Sequence, residues 1–295
     1  MNSPHSEPVL VRFAREYGWR AYAIPVLLVV TIWILVDITR NPQPDITTPA
    51  ATTHAASHHG DEESKSIGPV PDRAMALPIG IGDLPPGGSF AEAGDKTYRV
   101  VGKPGPKVGE GRDKAVTYVV EVENGVDTAA YGGDDAVAAM IDATLSNPKG
   151  WIADPAFSFQ HVLPEENPTM RIQLASVATT HELCGHDLEM ETSCYTTDGD
   201  RVVINESRWV RGAITASGDL GSYRQYLINH EVGHGIGYAA HAACPKNGDL
   251  APVMMQQTLS LDNSVLHQID PEEIYPDNQQ ACVFNPWPYP LGYHP

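Results

Sequence analysis

Two histidines and a glutamate stand close together in the second half of this 295-residue chain, in the run His-Glu-Val-Gly-His. On a helix, His230 and His234 lie one turn apart on the same face, so both imidazoles can bind one metal ion. Glu231 is turned by about 100° from His230, where its carboxylate reaches a water on the metal rather than the metal itself. A zinc ion (Zn²⁺) with an open position lowers the pKa of that water towards about 7, and Glu231 can accept the proton. The run therefore predicts a zinc site that activates water.

A third protein ligand is needed, because two histidines alone do not hold a catalytic zinc ion. Gly235 and Gly237 weaken the helix after the second histidine and permit a positive φ, so the chain can turn back over the metal. His241 is the next histidine and is the expected third ligand. Asp249 and His267 are the nearest alternatives by residue type.

The stretch resembles the metzincin signature H-E-x-x-H-x-x-G-x-x-H, which it matches at four positions, His230, Glu231, His234 and Gly237. The signature has its third histidine where this chain has Ala240, one residue before His241. The resemblance also implies a methionine turn beneath the metal, for which Met254 and Met255 stand at a suitable distance. Ordinary packing in the core is the alternative role for these two methionines, since methionine fills cores readily.

A wider pattern is similar to an actinobacterial domain family of unknown function that is predicted to be metallopeptidase-like. It consists of RVVIN, YLINHEVGH, PVMMQQT and NPWPYP. Together the resemblances imply a zinc metalloendopeptidase that cleaves a peptide or protein substrate, with Glu231 as the catalytic base. The alternative is a non-catalytic envelope protein with the same fold and a structural or vestigial zinc site.

The elements that position these residues are predicted to form an α+β domain of about 200 residues. Hydrophobic patterns predict strands at 98–101, 116–122, 157–162, 170–176 and 201–205, and helices at 134–146 and 222–236. Ser222 and Gln225 match a capping box and predict that the second helix begins at Ser222. The expected fold is metzincin-like, with a small mixed sheet, an active-site helix and an irregular Pro-rich C-terminal part.

An apolar, uncharged segment at residues 21–36 predicts a transmembrane anchor. More arginines precede it than follow it, which predicts a cytoplasmic N-terminus at 1–20 and an extracytoplasmic remainder at the cell membrane. A cleaved signal peptide and a buried core helix are the alternatives. Residues 41–87 are rich in Pro, Thr, Ser and His and predict a disordered linker, which leaves 88–295 as the extracytoplasmic domain.

Four cysteines, Cys184, Cys194, Cys244 and Cys282, occur without a C-x-x-C pair, which favours two disulfides in an oxidising space. Of the three possible pairings, the short loops favour Cys184–Cys194 and Cys244–Cys282; four free buried thiols are the alternative. The net charge of −18 disfavours binding to nucleic acid and to anionic lipid. The pattern does not predict an oligomeric state.

Overall fold

The computed structural model describes residues 26, 28–34, 36, 79–185 and 192–294. The chain divides into two units, Met1–Pro71 and Asp72–Pro295. The described residues of the first unit are helical and exposed, and within the described parts of the chain no helix is long and apolar enough to cross a membrane. The rest of the predicted anchor, the segment 1–20 and the linker as far as residue 78 lie outside the described residues. The anchor therefore stays a prediction.

A seven-stranded mixed sheet forms the centre of the second unit. Its strands are β1 Tyr98–Val101, β2 Val108–Gly109, β3 Lys114–Glu123, β4 Phe157–His161, β5 Met170–Ala175, β6 Cys194–Thr196 and β7 Arg201–Asn205. Their order in the sheet is β2-β4-β3-β5-β7-β6, and β1 also pairs with β3. The pairs β3–β4, β3–β5 and β5–β7 are parallel, whereas β1, β2 and β6 each pair antiparallel to a neighbour.

In the described part of the second unit, five α-helices accompany the sheet: α1 Asp134–Leu145, α2 Val177–Cys184, α3 Glu206–Arg211, α4 Leu220–Ile236 and α5 Asn263–Ile269. Short 3-10 helices lie at Thr128–Tyr131, Trp151–Ala153, Pro164–Glu166 and Ile214–Ala216. Alternate residues of the central strands pack against α1 and α4 in the main core, among them Val120, Val122, Ile172, Leu174 and Ile204. Burial of this face is the main stabilising contribution, since apolar area removed from water contributes roughly 25 cal/mol per Å².

The mixed sheet and the helices confirm the predicted α+β class. The strands at 98–101 and 201–205 have the predicted bounds, and those at 157–162 and 170–176 each end one residue earlier. Five short elements were not predicted, because each has too few residues to show a period: β2, β6, α2, α3 and α5.

The predicted start of α4 at Ser222 is wrong, because the helix begins at Leu220 with Asp219 as its N-cap. The Asp219 carboxylate accepts hydrogen bonds from the Ser222 amide at 3.0 Å and from the Ser222 hydroxyl at 2.6 Å. Ser222 is therefore a donor to the cap and not the cap itself.

Part of the predicted linker is packed onto α3. The buried guanidinium of Arg208 donates hydrogen bonds to the carbonyl oxygens of Gly82 and Asp83. Arg211 donates to the Gly88 carbonyl at 2.9 Å. Composition predicts that the domain begins at residue 88. The packed domain also includes Gly82 and Asp83, which precede this boundary.

Both predicted disulfides are present, Cys184–Cys194 and Cys244–Cys282. The first joins the end of α2 to the edge strand β6. The second lies in a small second core near the C-terminus, which we call the C-terminal core, formed by Cys244, Ala251, Met255, Leu259, Leu266, Tyr275 and Cys282. Two disulfides indicate that the domain folds in an oxidising environment.

Candidate metal centre

The three predicted histidine ligands come together in the structure. His230 and His234 face each other along α4, with 3.3 Å between their Nε2 atoms. His241 returns from the loop after α4, and its ring stacks on that of His230 with centroids 5.4 Å apart. One ligand nitrogen from each histidine lies within 4.8 Å of the other two. Asp249 and His267, the alternatives for the third position, lie outside this group.

Backbone carbonyl groups orient the two histidines of α4. His230 Nδ1 lies 2.8 Å from the Val253 carbonyl oxygen, and His234 Nδ1 lies 2.8 Å from that of Tyr238. A carbonyl oxygen only accepts hydrogen bonds, so each Nδ1 carries the proton. Each Nε2 then keeps its lone pair, which is the form of the ring that binds a metal.

The loop that carries His241 accommodates the extra residue relative to the metzincin signature. Gly237 ends α4 with φ of 120°, and the Tyr238 amide donates to the Gly233 carbonyl at 3.0 Å. At the far end of the loop, the Ala242 amide donates to the Met254 carbonyl at 3.0 Å. Three residues lie between these two fixed points, and the two before His241, Ala239 and Ala240, are exposed, so the extra residue is accommodated on the surface of the loop.

Burial also keeps two of the histidines neutral. Burial lowers the pKa of His230 well below its usual value, and the nearby His234 and His241 lower it further. The pKa of His234 is lowered by the same causes, burial first and then His241. Since a metal binds only the neutral imidazole, the environment favours the binding form near pH 7.

Glu231 lines the same cavity as the three histidines. The cavity has a volume of about 460 Å³, and its other walls are Ser193, Cys194, Tyr195, Thr197, Ala239 and Gln256. The Glu231 side chain is buried, and burial raises the pKa of its carboxyl group to about 8. The arrangement joins three nitrogen ligands with a carboxyl group able to exchange a proton near neutral pH.

Residues 84–290 match the family model described as "Protein of unknown function (DUF3152)". The chain belongs to this family. The matched region contains the three histidines, Glu231 and all four cysteines. No curated protein and no solved structure matches the chain.

In this DUF3152 domain, the segment with the two methionines lies against α4. Met254 Sδ would be 2.5 Å from a Cβ atom placed on Gly233, so helix and methionine are in close contact. The Met255 carbonyl accepts a hydrogen bond from the Tyr226 hydroxyl at 3.0 Å. Met254 is buried in the main core and Met255 in the C-terminal core, so both pack in the interior, and the methionine turn beneath the metal stays a prediction. The same segment orients His230 through the Val253 carbonyl.

Sequence reasoning missed the groups that hold the histidines. The carbonyl groups of Val253 and Tyr238 belong to the backbone, so no side-chain pattern indicates them. A third group that sequence reasoning missed is the Glu273 side chain, whose Oε1 atom lies 3.3 Å from His241 Nδ1. It lies 32 residues after His241, too far for a local motif to reveal the contact.

Proposed function

We propose that this domain is a zinc-dependent hydrolase that cleaves peptide bonds, with a metzincin-like site. The observation that carries the proposal is the convergence of three histidine nitrogens and one buried carboxyl group on a single cavity. Three histidine ligands with a further position open to solvent are the donor set typical of catalytic zinc. A structural zinc site instead fills all four positions with protein ligands.

The histidines would hold the metal through Nε2, and the backbone carbonyl groups at Nδ1 of His230 and His234 would keep those two rings in place. A bound zinc ion would supply a Lewis acid that polarises a substrate carbonyl and makes water more acidic. The Glu231 carboxylate accepts a proton from the attacking water and delivers it to the leaving amine nitrogen. Burial raises the pKa of this carboxyl group to about 8, and the positive charge of a bound zinc ion would lower it, so that the carboxylate form needed to accept the proton is available near neutral pH.

The proposed location is the extracytoplasmic side of a cell membrane. The two disulfides support an oxidising compartment, and the apolar segment 21–36 supports attachment through an N-terminal helix. The proposed substrate is a peptide or a protein.

The proposal is tested with the variant Glu231→Gln, which keeps the size of the side chain but cannot accept the proton. Zinc content is measured by elemental analysis, and cleavage of a mixture of unstructured peptides is followed by mass spectrometry. The variant should keep one zinc ion per chain and lose roughly 10²- to 10⁴-fold in turnover. Glu165→Gln, at an exposed glutamate, is the matched control and should behave as the wild type. If the zinc-loaded wild type cleaved peptides no faster than Glu231→Gln, the result would instead favour the alternative of a non-catalytic envelope protein.

A further inference from the structure

His241 is held differently from the other two histidines of the site. Its Nδ1 atom faces a carboxylate, that of Glu273, at 3.3 Å, whereas His230 and His234 face backbone carbonyls. The His241 side chain is 18% exposed and that of Glu273 is 38% exposed, so solvent screens this pair only in part. A carboxylate binds a ring N–H more strongly than a neutral carbonyl does.

The turn that carries Glu273 is fixed at several points. Tyr275, two residues later, is buried in the C-terminal core, and its ring stacks on His241 with centroids 6.3 Å apart. The Tyr275 hydroxyl accepts a hydrogen bond from the Gln256 amide at 2.9 Å. The Tyr275 carbonyl accepts one from His267 Nδ1 at 3.0 Å. The turn is therefore anchored to the segment after the two methionines and to α5.

The ring of His241 is oriented so that this contact matters for the metal. It lies nearly parallel to the ring of His230, at an interplanar angle of 16°. With Nδ1 bound to Glu273, the Nε2 atom is the ligand nitrogen left to meet those of His230 and His234. Stacking on His230 and Tyr275 holds the plane of the ring, and the contact with Glu273 decides which of its two nitrogens faces the other histidines.

We propose that Glu273 is a positioning residue for the metal: its carboxylate fixes the tautomer and the orientation of the His241 ring. The proposal rests on the proposed zinc site. It adds that the third ligand depends on the C-terminal core, which the Cys244–Cys282 disulfide closes. Groups of this kind, which bind a ligand rather than the metal, change metal affinity by about 10- to 100-fold when removed.

The test measures the zinc dissociation constant of the full-length protein by competition with a chromophoric chelator. Glu273→Ala should weaken zinc binding by about 10- to 100-fold. Glu273→Gln should weaken it less, because an amide oxygen still accepts a hydrogen bond but carries no charge. Glu272→Ala removes an adjacent exposed carboxylate and should leave the affinity unchanged. Equal affinity of the wild type and Glu273→Ala would overturn the proposal.

A double-mutant cycle separates positioning from a general effect on folding. In a His241→Ala background, Glu273→Ala should have no further effect on zinc affinity, because the ligand that it orients is gone. If Glu273→Ala weakened zinc binding equally in the wild type and in His241→Ala, its role would be structural and the proposal would be overturned. If Glu273→Ala fails to fold, the effect of Glu273→Gln on zinc affinity is measured in the same two backgrounds instead.

The outcomes also distinguish this proposal from the proposed function. A wild type that binds zinc but cleaves no peptide refutes hydrolysis, and the affinities of the Glu273 variants still decide the positioning role. A wild type that binds no zinc refutes both.

Discussion

Gly233 lies between the two histidines of α4 and faces two large side chains. A Cβ atom at this position would lie 2.5 Å from Met254 Sδ and 2.8 Å from the Trp151 ring. Only glycine therefore allows α4 to approach this closely. Because the segment of Met254 also supplies the Val253 carbonyl that orients His230, packing at Gly233 is coupled to the geometry of the site.

Gly233→Ala should destabilise the domain by about 1–3 kcal/mol, because the added methyl group overpacks the core. The same substitution at Gly221, in the first turn of α4, meets its nearest neighbour at 3.4 Å, which is ordinary contact. Gly221→Ala should instead stabilise the domain by up to about 1 kcal/mol through higher helix propensity. Urea unfolding of both variants provides the measurement. If both substitutions changed the free energy of unfolding in the same direction, the close packing at Gly233 would not be what requires a glycine there.

At the residue scale, the sequence predicts side chains but not the groups that hold them. His230, Glu231 and His234 follow from residue type and helical spacing, and His241 follows as the next histidine after the glycines. The structure brings all four to one cavity. The spacing could not locate Glu273, because its approach to His241 depends on how the C-terminal segment folds back.

At the scale of elements, the sequence predicts that α4 exists and that it ends at Ile236, but it does not predict that the helix begins at Leu220. Ser222 and Gln225 fit a capping box, but Asp219 forms the cap three residues earlier. An acidic side chain at this position accepts hydrogen bonds from the free backbone amides of the first turn. Its negative charge also interacts favourably with the helix dipole. The capping-box pattern alone therefore does not locate the first residue of the helix.

Asp219→Ala should destabilise the domain by about 1 kcal/mol near pH 7, whereas Gln225→Ala should have little effect. Hydrogen bonds from Ser222 lower the pKa of Asp219 below its usual value. A lowered pKa in the folded state stabilises the protein above the unfolded pKa of about 3.9, and this contribution is lost as the pH falls through the folded value. The difference between Asp219→Ala and the wild type should therefore shrink at acidic pH. Thermal unfolding at several pH values tests this, and a larger effect of Gln225→Ala would restore the predicted capping box.

At the scale of the whole molecule, the site joins the main core with the C-terminal core. His230 and His234 belong to a helix of the main core, whereas the His241 ring stacks on Tyr275 of the C-terminal core. The Cys244–Cys282 disulfide closes a separation of 38 residues, for which loop entropy gives roughly 4 kcal/mol of stabilisation. Its pairing was predictable because short loops close easily. The C-terminal core was not, since its residues are separated by irregular chain without a period.

The central claim is a three-histidine zinc site with an open position, and X-ray absorption at the zinc edge of the wild-type protein tests it most directly. The account predicts three imidazole nitrogens at about 2.0–2.1 Å and at least one oxygen that is not a protein ligand. A closed shell of four protein ligands, or a zinc ion without imidazole ligands, would contradict it.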